Sequence, residues 1–515
     1  MTNLVMGIDL GSTSLKAIAY DLDGNLVAQG STPTKLTHPK ENPEWAIWLP
    51  EDIWGGAADA IQQAVSQLDS PSQIKAVAVT GMGQDGLPVA EDGEWLYPFI
   101  SWHDGRTAEQ FDWWLKNITG EKTFLRAGLS AWPINAAMRL LWMQEHEPEI
   151  LKKAHKWLLI EDFLNYQLCG EWATDYSMAS CFALFDPTSN TWSEELINQS
   201  GIEHRLLPDA KPSGMPLGVV TAEAAARTGL EEGTPVILGG HDHLCGALPV
   251  GVFHEGTALN VSGTWEMILT PAQRPVLDSA LYEIGMTVQP HVAQSPYTAE
   301  MTTGIWGGNP SAGMLEWFRT FARFTPEAKD VPLPEWDVLI DDAKETAVGA
   351  GGMLFLPHNS GASCPIVDGK SRGAFVGMTD RVGVPEFFRA IIEGLCYQYK
   401  GMLVGLEKCL DKTLDRCVTV GGVSRNHFWL QTKASILGRN VEVPAVEEAT
   451  ALGAAILAGL GVGLYENLET AYERTYREGK VIEPIAEDAK YYEKQFEVYQ
   501  QLYPALQEIN EQCGK

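Results

Sequence analysis

Met6-Gly7-Ile8-Asp9-Leu10-Gly11-Ser12-Thr13-Ser14-Leu15-Lys16 decides how the rest of this chain is read. The apolar run Leu4 to Ile8 predicts a strand that ends in an acid, then in a turn of glycine and hydroxyls. A second strand is expected from Lys16 to Tyr20. A third, Leu26 to Ala28, follows the Asp23-Gly24 turn. Glycine lets backbone N–H groups come close to a phosphate. On that reading Gly11, Ser12, Thr13 and Ser14 supply donors and Lys16 a positive charge. Asp9 then offers an oxygen ligand for Mg2+. The plainer alternative is an ordinary N-terminal hairpin, since a motif is only a hypothesis until its context is known.

A chain of 515 residues is too long for one core and predicts two large domains, three at most. The net charge of −30, from 37 basic and 67 acidic residues, argues against nucleic-acid or acidic-membrane partners, which need a basic stripe. It leaves room for an anionic nucleotide held locally with Mg2+. The eight cysteines include no CxxC pair and read as reduced core thiols of a cytoplasmic protein. No signal peptide is expected, and no run approaches the roughly 18 apolar residues of a membrane span.

Further strands are predicted at Ile74 to Thr80 and Thr234 to Leu238, and helices at Pro50 to Leu68 and Ala136 to Glu147. A second beginning appears at Gly256 to Met267. There Ser262-Gly263-Thr264 sits between two strand-like runs and weakly echoes the first hairpin, as duplication would produce. A long helix follows Pro385, then a strand from Cys417 to Val420 running into Gly421-Gly422. The tail, Ala486 to Asn510, reads as one closing helix.

Three local patterns mislead. Gly81-Met82-Gly83-Gln84-Asp85-Gly86 matches the dinucleotide fingerprint, but a hairpin pattern follows where a helix is required. His241, His243 and Cys245 look like metal ligands without the further ligands that zinc needs. Gly369-Lys370-Ser371 resembles a P-loop end, but Cys364 stands where its first glycine belongs.

Seven stretches, in order, resemble the FGGY carbohydrate kinases over nearly the whole chain. They are Gly7 to Thr13; Trp102 to Thr107; Gly239 to Ala247; Ser262-Gly263-Thr264; Glu393-Gly394; Gly421 to Asn426 with Trp429 and Gln431; and Glu448 to Ala455. The resemblance implies an α/β chain of two ribonuclease-H-like domains, of the actin and sugar-kinase ATPase type, around a central cleft. Residues 1–247 would bind the sugar, and residues 248–515 the ATP and carry the closing helix. It also implies ATP and Mg2+ as cofactors.

The chemistry follows from residue types. A sugar hydroxyl is a poor nucleophile, so a carboxylate must accept its proton as phosphorus is attacked. Asp242 follows a strand and two glycines, read as leaving room for a bulky ligand, and matches the family's base. Gly263 and Thr264 add phosphate donors. Gly421 and Gly422 admit a base or ribose, and Asn426 offers a donor and an acceptor. Gly453 with Ala454 and Ala455 is read as a helix start packed on that loop. Gln84, Asp85, Trp102, His103 and Asp104, with Asp242, are the candidate sugar ligands. Asp85 stands where many members carry His or Glu. The segment Pro357 to Pro365 lacks the Gly-Glu-Arg of many pentulose kinases. The expected activity is ATP-dependent phosphorylation of a small sugar, first of all a ketose. The alternatives are a polyol kinase, a non-catalytic sugar- or nucleotide-binding regulator, and, least supported, an actin-like chaperone ATPase. A homodimer is compatible with the sequence.

Overall fold

β1 (Leu4–Leu10) runs through the middle of a six-stranded sheet, with almost every residue buried. This suits its continuous apolar run, because a strand covered on both faces has no reason to alternate. β2 (Ser14–Asp21) and β3 (Leu26–Pro33) extend it as an antiparallel meander. Helix α1 (Pro50–Val65) starts with proline in its first turn and leads to β4 (Ile74–Gly81), parallel to β1. β5 (Pro216–Val219) is an antiparallel edge, and β6 (Pro235–His241) lies parallel to β4. The sheet order is β5-β6-β4-β1-β2-β3. Helix α2 (Asp242–Ala247) follows β6 directly.

The second half repeats this plan. β7 (Thr257–Ser262), β8 (Trp265–Ala272), β9 (Thr287–Pro290) and β10 (Thr303–Pro310) are joined by antiparallel pairing. A 27-residue helix, α3 (Val384–Leu410), precedes β11 (Arg416–Val420), which is parallel to β7. Then come α4 (His427–Leu437), β12 (Val441–Val443), parallel to β11, α5 (Ala449–Gly461) and the antiparallel edge β13 (Lys480–Ile482). Meander, two parallel strands and an antiparallel edge recur in the same spatial order, so the weak echo between the two hairpins reflects a repeated topology. This computed structural model describes residues 2–263, 265–298, 303–311, 313–321, 333 and 335–513.

α5 packs on β1, β4, β6 and α2 of the first half. It is apolar all round, as a helix enclosed between layers must be. Its contacts correct one sequence reading. Gly453 does not open a helix against the nucleotide loop, because α5 begins four residues earlier. A Cβ there would lie 1.9 Å from the Cys245 carbonyl oxygen, so the small residues serve the crossing of α5 with α2. The tail is also corrected. It forms two helices, α6 (Ala486–Tyr499) and α7 (Leu502–Cys513). Pro504 cannot continue α6, because it lacks an N–H and its ring meets the carbonyl four residues back. The fingerprint-like glycines lead into an extended segment, Gly86–Val89, paired with Lys156–Leu159, and not into a helix. The eight cysteines are free. Among the described residues no helix is long and apolar enough to cross a membrane.

Candidate active site

β6 delivers Asp242 to the first turn of α2, where its side chain keeps 37 % of its surface accessible. Its Oδ1 accepts the His243 backbone N–H at 2.6 Å and faces His243 Nδ1 at 3.4 Å. Burial pushes the carboxyl up, but the His243 hydrogen bonds and the two neighbouring imidazoles outweigh it. The net position is below the usual carboxylate range. Asp242 is therefore ionised at neutral pH.

Asp242 lines a cavity of about 340 Å³ formed by both halves. Ser12, Gln84, Trp102, Trp132, Asn135 and His241 face it from the first half. Trp265, Met267, Thr287 and Trp306 face it from the second. Gln84 holds a positive φ of 79°. Such a backbone is costly without glycine and persists only where the surroundings impose it. Here the Arg139 guanidinium donates to the Gln84 carbonyl at 2.9 Å, and Asn135 Nδ2 donates to its Oε1 at 3.3 Å.

The other candidate sugar ligands lie differently. Asp85 is buried behind the cavity wall, accepting Trp48 Nε1–H at 2.6 Å with Arg139 3.6 Å away. Burial pushes its carboxyl up to about 7, with Arg139 opposing. Asp104 is also buried. It accepts from Ala46 N at 2.6 Å and from two Arg106 guanidinium nitrogens at 2.8 and 2.6 Å. Arg106 in turn stacks 3.7 Å over Trp45. Both acids are turned into the protein and lie outside the cavity lining. His103 is exposed and packs on Trp102, with centroids 3.7 Å apart and ring planes tilted by 32°. The Gly239-Gly240 reading is corrected too. Cβ atoms there would lie 1.7 Å from the Val79 carbonyl oxygen and 2.3 Å from Val292 Cγ1, so the space is taken by protein and not by a ligand.

Beside the cavity, Asp9 stands opposite Lys16 across the first hairpin. Burial, then the Asp242 charge, push its carboxyl up to about 7 against the pull of Lys16. Lys16 itself bonds both carboxylate oxygens of Glu448 at 2.7 Å, 432 residues away. Gly11, Ser12, Thr13 and Ser14 form the turn, closed by Gly11 N–H to Ser14 O at 3.1 Å and Thr34 Oγ1–H to Gly11 O at 2.6 Å. In the second hairpin Gly263 N–H bonds Trp265 O at 2.9 Å. Thr264 lies outside the described residues. Gly421, at φ 96°, brings its loop against Ser262, and Gly422 faces open space. Asn426 caps α4 through Oδ1, leaving its Nδ2 as the second polar end. Beneath this hairpin Lys433, fully buried, donates to Glu266 and to Asn260 Oδ1, the latter at 2.5 Å.

Sequence reasoning missed Trp132, Asn135, His241, His243 and Trp306 as cavity residues. The two histidines flank the chosen base and carried a signal, although the reading weighed them only as metal ligands. His241, Asp242 and His243 do bring ligand atoms within 4.8 Å of one another. Trp306 comes from the other half, and nothing local marks it.

Two repeated ribonuclease-H-like halves that close on a cavity with an ionised carboxylate define the actin and sugar-kinase class of ATPases. The sequence model of the "FGGY family of carbohydrate kinases, N-terminal domain" matches residues 4–249, and that of its C-terminal domain residues 258–462. The L-fuculokinase of Escherichia coli K12 is 31% identical over 489 residues, 94% of this chain and 98% of that protein. The xylulose kinase of Bacillus subtilis is 30% identical over 526 residues, 98% of each chain. The crystal structure of a xylulose kinase from Rhodospirillum rubrum superposes with a TM-score of 0.87 at 26% identity, covering 99% of this chain and 100% of that one. This chain belongs to the FGGY family of carbohydrate kinases. It is a phosphotransferase that uses ATP as donor and an alcohol group as acceptor.

Proposed function

We propose that the protein phosphorylates a hydroxyl of a small ketose, with Asp242 as general base. The observation that carries this is an accessible, ionised carboxylate in a cavity that both halves close. The sugar oxygen would bond to the γ-phosphorus of ATP as the bond to the ADP oxygen breaks. The hydroxyl proton passes to Asp242. Gln84 and Asn135 offer paired donors and acceptors, and Trp102, Trp132 and Trp306 offer faces for C–H surface. Asp85 and Asp104 act from behind: the first through Trp48 and Arg139, the second through Arg106. His103 supports Trp102 by packing against its ring.

The two hairpins, at Gly11 to Ser14 and at Gly263, would hold the phosphates, and Gly421, Gly422 and Asn426 the adenosine. Lys16 would serve them only after leaving Glu448. A divalent cation fits beside Asp9: burial and the Asp242 charge raise the cost of ionising it, and the nearby lysine is already paired. Asp9 would hold Mg2+, which supplies charge neutralisation at the phosphates. We place the division between sugar-binding and ATP-binding halves at 247/248.

A ketose is supported by the names of the two relatives at 30 and 31% identity, L-fuculokinase and xylulose kinase. The test is ADP release with ATP, Mg2+ and a panel of ketoses, glycerol, erythritol and pentitols. A ketose with the highest kcat/KM supports the reading. A polyol in that place, or no ADP release with any compound, refutes it.

A further inference from the structure

Three hydrogen bonds beneath the cavity fix where one proton sits. Trp306 Nε1 can only donate, and it lies 2.9 Å from one amide atom of Gln289, which must be the oxygen. The other amide atom is 2.6 Å from the Ser177 carbonyl oxygen, which can only accept, so it must be the nitrogen. Two independent constraints thus give the same orientation of a side chain that is 1% exposed. The same NH2 group lies 3.0 Å from His241 Nδ1. Cys181 Sγ also lies near Nδ1, but at 3.8 Å, so the amide donor at 3.0 Å is the stronger contact and Nδ1 accepts from it. The proton of the neutral ring is then on Nε2, the ring edge presented to the cavity. Asp242 Oδ1 is 3.8 Å from Nε2, beyond hydrogen-bond range.

We propose that Gln289 is a positioning residue that sets the tautomer of His241, so that the cavity presents a fixed N–H donor beside the base. This rests on the kinase reading. Asp242 accepts from the hydroxyl that reacts, and His241 donates to the neighbouring sugar oxygen. The substrate therefore carries an oxygen with a free lone pair next to its reacting hydroxyl. His241 stays a neutral ring with a single proton throughout, because burial, reinforced by the neighbouring His243, holds the pKa for gaining a second one near 3, far below neutrality. The same tautomer works against a metal at His241, Asp242 and His243, since the nitrogen facing the cavity has no lone pair to give. Trp306 and Gln289 belong to the second half of the chain, Ser177 and His241 to the first, so this set of hydrogen bonds exists only when the halves meet as they do here.

The test is a long-range 1H–15N spectrum of the full chain labelled with 15N-histidine, with the His241 signals assigned from His241→Gln. The expected result is a protonated Nε2 and an unprotonated Nδ1 in the unaltered protein. Gln289→Glu places an acceptor at Nδ1 and should invert the tautomer. It should also raise KM for the sugar about tenfold or more while KM for ATP moves less than about twofold. Gln289→Met should leave both tautomers populated. An Nδ1–H tautomer in the unaltered protein overturns the proposal and leaves the kinase reading intact. So does a Gln289→Glu protein with the original tautomer and sugar KM. An Nε2–H tautomer in a protein that releases no ADP with any sugar or polyol instead refutes the kinase reading, and the substrate role of His241 with it.

Discussion

Lys433→Met removes the cation of the ion pair beneath the second hairpin, where Lys433 is 0% and Glu266 2% exposed. Breaking a buried pair by deleting one partner costs about 3–5 kcal/mol, because the other charge is left uncompensated. Glu266 would not be wholly stranded. Its Oε1 still accepts from Asn260 Nδ2 at 3.2 Å and Ser262 Oγ at 3.3 Å. The cost therefore falls at the lower end, about 3 kcal/mol, read as a fall of about 1 M in the urea midpoint of the second half. Ser262 and Asn260 flank the hairpin, so KM for ATP should rise about tenfold while KM for the sugar holds, on the order of one lost neutral hydrogen bond. Lys433→Met with Glu266→Leu replaces the pair by apolar groups. This should recover stability to within about 1 kcal/mol but not ATP affinity, since Ser262 and Asn260 have lost their carboxylate. A single variant that costs less than about 1 kcal/mol and leaves KM for ATP unchanged would refute the argument that this pair shapes the hairpin.

Asp242→Asn should keep the acceptor for the His243 N–H and lower kcat by about 10²–10⁴ with sugar binding retained by calorimetry; more than about a tenth of the original turnover contradicts the base assignment. Gln84→Ala should raise KM for the sugar more than for ATP in steady-state kinetics. Asp104→Ala should instead appear as a loss of about 3–5 kcal/mol in urea unfolding, because it strands the Arg106 guanidinium. Asp175 is buried, and burial raises its carboxyl from 3.8 to about 6 although Ser177 and Ser213 donate to it. The folded state then binds more protons than the unfolded one between pH 4 and 6, so stability falls as pH rises through that window, by about 3 kcal/mol for this group. Asp175→Asn should flatten that stretch of the stability–pH curve, and an unchanged slope would contradict the shift.

Much of this protein is legible before folding. Seven short motifs in family order point to the two halves, and the continuous apolar run of β1 shows a strand covered on both faces. Asp242 stands out because a charged residue directly after a buried strand and two glycines has few structural uses. Local pattern carries period, burial and backbone conformation, all set by neighbours in the chain. It does not carry the partner of a side chain. Asp85 and Asp104 read as sugar ligands from sequence, yet in the structure Arg139 and Arg106 hold them inside the wall. Gly239, Gly240 and Gly453 read as room for ligand or loop, and the space belongs to Val79, Val292 and Cys245. Lys16 read as a phosphate ligand, and Glu448 claims it from 432 residues away. Trp306 and Gln289 showed nothing locally, because they act on His241 across the contact between halves. A buried polar group takes whichever partner the packing brings near, and only the tertiary structure decides which one that is.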